Sequence, residues 1–243
     1  MLPVLLPVWL QTALAQAVAP AADSMAQRVQ PCTVCHGREG RATNTGYFPR
    51  IAGKPAEYLY AQLLNFRDGR RQNAAMQGLI DTLSDDYLRQ IAEHFSALDL
   101  PYPPPLPTLP PPPWQAGATA LSRGEALVLQ GDRTRGVPAC ASCHGAAMTG
   151  VVSAFMPAVP AVPAVPGLLG LPRDYLMAQL GAWRTGLRKA TAPDCMAQVA
   201  TRLSPDDLSA VATWLAAQPV PVDAKPVART AGSLPLDCGR RLP

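Results

Sequence analysis

Two pentads hold the residues of this sequence best suited to chemistry: Cys32-Thr33-Val34-Cys35-His36 and Cys140-Ala141-Ser142-Cys143-His144. In each, two thiols stand one helical turn apart and an imidazole follows the second. That spacing allows two thioether bonds to the vinyl groups of a haem and a nitrogen on its iron. A lone Cys-x-x-Cys could be a redox dithiol, and four cysteines could hold structural zinc. Two copies, each with the histidine and then a glycine (Gly37, Gly145), point instead to two covalently attached haem c groups. His36 and His144 are then the iron ligands on one side.

The opposite ligand follows from what else the chain contains. Three histidines are present and two belong to the pentads, so only His94 remains and the irons cannot both be bis-His. Between Met25 and Met148 the only methionine is Met76, expected in a loop after a helix. Met196 stands at the equivalent point of an internal repeat, each methionine lying eight residues before a serine (Ser84, Ser204), which selects it over Met148, Met156 and Met177. Methionine in a small domain is ordinarily core filler; placement at matched points of two repeats makes Met76 and Met196 the candidate ligands. Thioether sulfur favours reduced iron, raises its potential and closes the sixth position, so such iron passes electrons rather than binding substrate. His94, between Ile91 and Phe95, reads as a surface or boundary imidazole. Pro49 and Pro166 are candidates to offer a carbonyl to the second nitrogen of each ligand histidine. Arg67, Arg71, Arg184 and Arg188, with Gln62 and Gln179, are candidates for the haem propionates, weighed equally against solvated helix faces.

The elements that must position these groups read as helices. Residues 22–30 leave room for a short helix into the first pentad, followed by a loop from Gly37 to Gly53. Pro55 opens a helix with Leu59, Leu63 and Phe66 on one face, closed by Gly69. Ser84-Asp85-Asp86 starts another, with Leu88, Ile91, Ala92 and Phe95 as its apolar stripe. Tyr58-Leu59-Tyr60-Ala61-Gln62-Leu63 recurs as Tyr175-Leu176-Met177-Ala178-Gln179-Leu180, and Ser84-Asp85-Asp86 as Ser204-Pro205-Asp206-Asp207, the mark of an internal duplication. In the second copy a helix over about 119–129 precedes the pentad. No strand pattern competes, so the fold class is all-α in two tandem domains.

With 243 residues, two small domains are expected, at 23–100 and 117–220. Nine of residues 101–113 are proline, so 101–116 reads as a stiff linker. In polyproline II the tract would reach about 40 Å. The segment Pro157–Pro166 reads as an extended surface loop, and 221–243 as a C-terminal tail. Cys195 and Cys238 are left over, an even remainder that fits either a disulfide pinning the tail over the second haem site or two free thiols. Residues 1–22 carry no charged side chain and end in Ala-rich sites, which reads as a secretory signal peptide, or a membrane anchor where it is not cleaved. Export to the bacterial periplasm fits haem c and permits disulfides. The formal +4 falls to about zero once two ferrous haems add their propionates, so no nucleic-acid partner is inferred.

Taken together, Cys-x-x-Cys-His, Pro49-x-Ile51-Ala52-Gly53, Tyr58-Leu59-x-x-Gln62-Leu63, Phe66-Arg67-x-Gly69-x-Arg71, Met76 and Leu83-Ser84-x-Asp86 resemble class I cytochromes c of the two-haem, c-four type. The resemblance covers about 25–98 and 119–218. It implies two mostly helical domains packed face to face with propionates near their interface. It also implies periplasmic electron transfer from a dehydrogenase or a bc1-type quinol-oxidising complex to a terminal oxidase, with a membrane-associated partner among the candidates. A cytochrome subunit docked on a periplasmic dehydrogenase is the near alternative; a diheme peroxidase is opposed by the matched methionines. The proline tract, the Pro-Ala-Val insertion and the Cys238 tail depart from that pattern.

Overall fold

The computed structural model describes residues 23–42, 48–102, 117–153, 164–222, 224–229 and 234–239. Most of the proline tract, residues 157–163 of the Pro157–Pro166 segment and residues 1–22, expected as a signal peptide, lie outside them.

Ser24 caps α1 (Met25–Arg28) through a capping box with Gln27. The chain then enters α2 (Gln30–His36), which contains the first pentad whole. The short helix expected ahead of the pentad is α1, and the pentad has a helix of its own, begun by Pro31, which lacks an N–H and suits a first turn. Gly37, at φ +76°, ends α2 immediately after its histidine, a backbone turn that a Cβ would drive into the Ala42 carbonyl. A short 3-10 turn (Arg38–Gly40) breaks the expected loop.

Pro55 precedes α3 (Ala56–Arg67), which buries Leu59, Leu64, Asn65 and Phe66 while Leu63 stays half-buried. α4 (Ala74–Ile80) carries Met76, which corrects the loop expected there: the Asn73 side chain accepts from the Met76 amide and starts a helix. Ser84 caps α5 (Asp85–Ser96), and Leu88, Ile91, Ala92 and Phe95 form its buried stripe as the periodicity required. These faces close on one core that includes Val29, Phe66 and Ile80.

The second half repeats the plan with additions. α6 (Ala118–Leu129) lies against the last long helix, and Gly124 permits the contact, since a Cβ there would strike the Ala210 carbonyl. The second pentad occupies α7 (Ala141–His144), ended by Gly145 at φ +84°. α8 (Arg173–Thr185), α9 (Cys195–Arg202) and α10 (Pro205–Ala217) answer to α3, α4 and α5. Their core gathers Leu127, Leu176, Leu180, Val211 and Leu215.

A small sheet interrupts the all-helical plan. β1 (Gly150–Ser153) pairs antiparallel with β2 (Val165–Pro166) and parallel with β3 (Val227–Arg229) of the tail. The sequence does not signal it because the strands have two to four residues and β3 is recruited across some 75 positions. The tail then returns to α9, where Cys195 and Cys238 meet in disulfide geometry, their Cα atoms 5.3 Å apart.

The two halves join along an approximate two-fold. Arg71 and Arg188 face each other as an antiparallel bridge, with Gln72 donating to the Leu187 carbonyl at 2.9 Å and Lys189 to the Arg70 carbonyl at 2.6 Å. Among the described residues no helix is long and apolar enough to cross a membrane.

Candidate haem sites

One cavity of about 780 Å³ runs between the halves, and both pentads face it. Cys32, Cys35 and His36 line it from the first half, Cys140, Cys143 and His144 from the second. Each histidine is buried and fixed by the peptide that follows it at a distance. His36 Nδ1 lies 2.8 Å from the Pro49 carbonyl oxygen, and His144 Nδ1 lies 2.8 Å from that of Pro166. A carbonyl can only accept, so Nδ1 carries the proton and Nε2 keeps its lone pair for a metal. Burial pushes both imidazoles below their ordinary pKa, which keeps them neutral as a ligand must be. For His144 the nearby Lys54 charge adds to that effect.

The thiols lack the environment of a redox dithiol. Burial raises Cys32 and Cys143 and pushes Cys140 up to about 12, leaving protonated groups, not the thiolates a dithiol oxidoreductase uses.

Met76 and Met196 also line this cavity, and among the described methionines they alone do. Met148 is buried in the second core, with Met177 packed against it. Met156 lies outside the described residues. His94 does not reach the cavity and packs edge-on against Phe95, with ring centroids 5.3 Å apart.

The four arginines divide. Arg67 and Arg184 tie down the segments before α5 and α10, donating to the carbonyls of Leu83 and Leu203. Arg71 and Arg188 are buried at the junction and line the cavity. Arg71 donates to Gln62 at 2.9 Å and, across the two-fold, to Gln179 at 2.7 Å and the Tyr175 hydroxyl at 3.0 Å. Arg188 donates to Gln179 at 2.7 Å and Gln62 at 2.9 Å, and meets Tyr58 in the matching position. Burial alone would raise the Tyr58 phenol, yet the two guanidinium charges bring it below its ordinary value. Spacing marks these arginines and glutamines as propionate candidates, but carries no signal that Arg71, Arg188, Gln62 and Gln179 converge from both halves.

This donor set fits haem. Two neutral Nε2 atoms, four thiols and two thioethers face one apolar space. The buried guanidiniums have no carboxylate partner among the described residues, as anionic propionates would require. Trp183, which lines the same cavity, has a buried Nε1–H without an acceptor among the described residues.

No protein-family model matches the sequence. The chain is 38% identical over 189 residues to the thiosulfate dehydrogenase electron acceptor of Thiomonas intermedia, covering 78% of this chain and 79% of that one. It is 30% identical over 205 residues to cytochrome c4 of Pseudomonas aeruginosa, covering 84% and 91%. This chain belongs to the two-haem cytochrome c4 family. As a member, this cytochrome carries two covalently attached haem c groups and transfers electrons; it is not itself a catalyst acting on a substrate. Among solved structures, the cytochrome aligns with cytochrome c4 of Pseudomonas stutzeri at a TM-score of 0.58 and 27% identity, over 78% of this chain and 94% of that one. It also aligns with thiosulfate dehydrogenase (TsdBA) of Marichromatium purpuratum at a TM-score of 0.61 and 31% identity. That alignment covers 77% of the cytochrome but only 36% of the longer chain.

Proposed function

We propose that this cytochrome accepts single electrons from a periplasmic dehydrogenase acting on a reduced sulfur compound, thiosulfate foremost, and delivers them to a terminal oxidase or another acceptor. The observation that supports the electron-carrier reading is the convergence, on one cavity, of two histidines locked through Nδ1 and two methionines from matching helices. The sulfur-compound reading rests on the relatives whose names specify it.

In this reading Cys32 and Cys35, and Cys140 and Cys143, hold the two haems by thioether bonds. His36 and Met76 ligate the first iron, His144 and Met196 the second. A haem so bound supplies a one-electron couple. The chain's own part is to fix each imidazole through a proline carbonyl, exclude water with the two cores, and face the propionates with Arg71 and Arg188. Residues 1–22 act as the export signal, 23–100 and 117–220 as the domains, and 101–116 as the linker. Cys195 and Cys238 form a disulfide that holds the 221–243 tail over the second site, where Leu234 and Leu236 line the cavity.

The test is rapid mixing of the oxidised holoprotein with a thiosulfate dehydrogenase and thiosulfate. Reduction of both haems at a rate set by the enzyme concentration is expected; a cytochrome left oxidised while the enzyme reduces an artificial acceptor would overturn the partner. A second reading, a subunit that stays docked on its dehydrogenase, is favoured by the structural match within TsdBA, and co-elution from the native source distinguishes it.

A further inference from the structure

The two haem sites share their ligand pattern, yet two buried cations, Lys54 and Arg50, break the symmetry between them, and one of them reaches across the junction. Lys54 belongs to the first half, is only 6% exposed and has no ion-pair partner among the described residues. Its ammonium donates across the junction to the Gly167 carbonyl at 3.2 Å and to the Tyr102 hydroxyl at 3.4 Å. Gly167 directly follows Pro166, whose carbonyl holds His144 Nδ1. A Cβ at Gly167 would clash with the Thr149 backbone, so this strand end has little freedom of its own. In the repeat, Gly53-Lys54-Pro55 corresponds to Gly170-Leu171-Pro172, so a hydrocarbon stands where the first half has its charge. The peptide after Pro49 is treated differently too: Arg50 occupies the position of Gly167 and donates to carbonyls of its own half, Ala52, Leu100 and Pro101.

We propose that Lys54 is a positioning residue for the second haem: from the neighbouring domain it clamps the segment that orients His144 and brings a buried positive charge to the cavity in which His144 would hold that iron. The inference rests on His144 being that iron's ligand. When the redox partner gives one electron, ferric iron becomes ferrous and the site loses one positive charge, with no bond made or broken. A buried cation nearby therefore favours the reduced state, and burial keeps salt from screening it. Because Lys54 lies in the other domain, the second haem feels it only while the two domains are docked.

Spectroelectrochemical titration of the full-length holoprotein tests this with K54M and K54R, the two waves being assigned by Met76→His and Met196→His. K54M should lower the second haem by about a tenfold change in its reduction equilibrium, 59 mV for one electron, and leave the first in place. K54R should keep both waves near their original positions, and the K54M shift should persist at about 1 M salt. An unmoved second wave, equal movement of both, movement of the first alone, or K54R behaving as K54M would each overturn the proposal. Should K54M fail to load haem, K54Q takes its place, and loss of haem in both while K54R loads normally would show a folding role and also overturn it. Failure of the ligand assignment looks different: His144→Gly would then leave the second wave and the ferric haem spectrum unchanged.

Discussion

The first haem site is open where the second is covered, although both are built from the same helices in the same order. Val34, between the first two cysteines, is 81% exposed, whereas Ser142, its counterpart, is half-buried and its carbonyl accepts from Arg229 of the tail. Leu79 of α4 is 45% exposed, and its counterpart Val199 of α9 only 8%. Among the described residues the second site gains a sheet, a tail and the close Cys195–Cys238 pair, while the first has its helical core. Duplication preserved the ligand pattern, which tolerates little change, and left the surroundings free to diverge.

The caps diverge in the same direction. Ser84 alone caps α5, while Ser204 and Asp207 form a reciprocal capping box on α10. Asp207 also accepts from Arg123 at 2.9 Å and Arg135 at 2.6 Å. Burial would raise the Asp207 carboxyl, but Arg135, the Ser204 backbone and Arg123 hold it well below the ordinary carboxylate range. The first half has Tyr87 at this position and no such network.

The strongest test of the comparison is ligand exchange. Met76→His and Met196→His should each lower one haem only, by a hundredfold or more in its reduction equilibrium, about 120 mV for one electron. A potentiometric titration in which either variant moves both waves, or neither, would remove that methionine as a ligand. Next comes the tail. Cys195→Ser should cost about 4 kcal/mol of stability in the second domain, given the 43-residue separation of the bridge, and leave the first domain's melting unchanged. Haem absorbance followed through thermal unfolding reads this, and equal loss in both domains would show that the tail supports the whole molecule.

Asp207→Asn should destabilise the second domain by about 2 kcal/mol at neutral pH. Its depressed folded-state pKa means the stability it contributes is present above about pH 4 and is lost as pH falls. Acid titration of unfolding should therefore affect the second domain of the unmutated protein more steeply than that of the variant; parallel curves would refute the network's role. The smallest effect is expected at the single caps, where Ser84→Ala should cost about 1 kcal/mol in the first domain alone.

Much of the site is legible in the amino-acid sequence. The pentads, the repeat that pairs Met76 with Met196, and the stripe Leu88, Ile91, Ala92 and Phe95 are local patterns of spacing, and spacing survives in sequence. The Pro49 and Pro166 carbonyls are legible for the same reason, through the repeat. Met76 sits in a helix rather than the expected loop because Asn73 as a cap is a weak signal in so short an element. The sheet leaves no readable pattern because β1 has four residues and its partners come from distant parts of the chain.

Residue type and periodicity by themselves determined the two covalent haems, their candidate ligands and the helical repeat, since thioether attachment and helix formation depend on neighbours within a turn or two. Only the tertiary structure decided that Arg71 and Arg188 share partners across a two-fold, that the tail closes one site, and that Lys54 reaches the other domain's histidine support. The contacts across the two-fold join residues 104 to 126 positions apart and those of the tail 43 to 87, and such distances are set by packing of whole faces rather than by any local code.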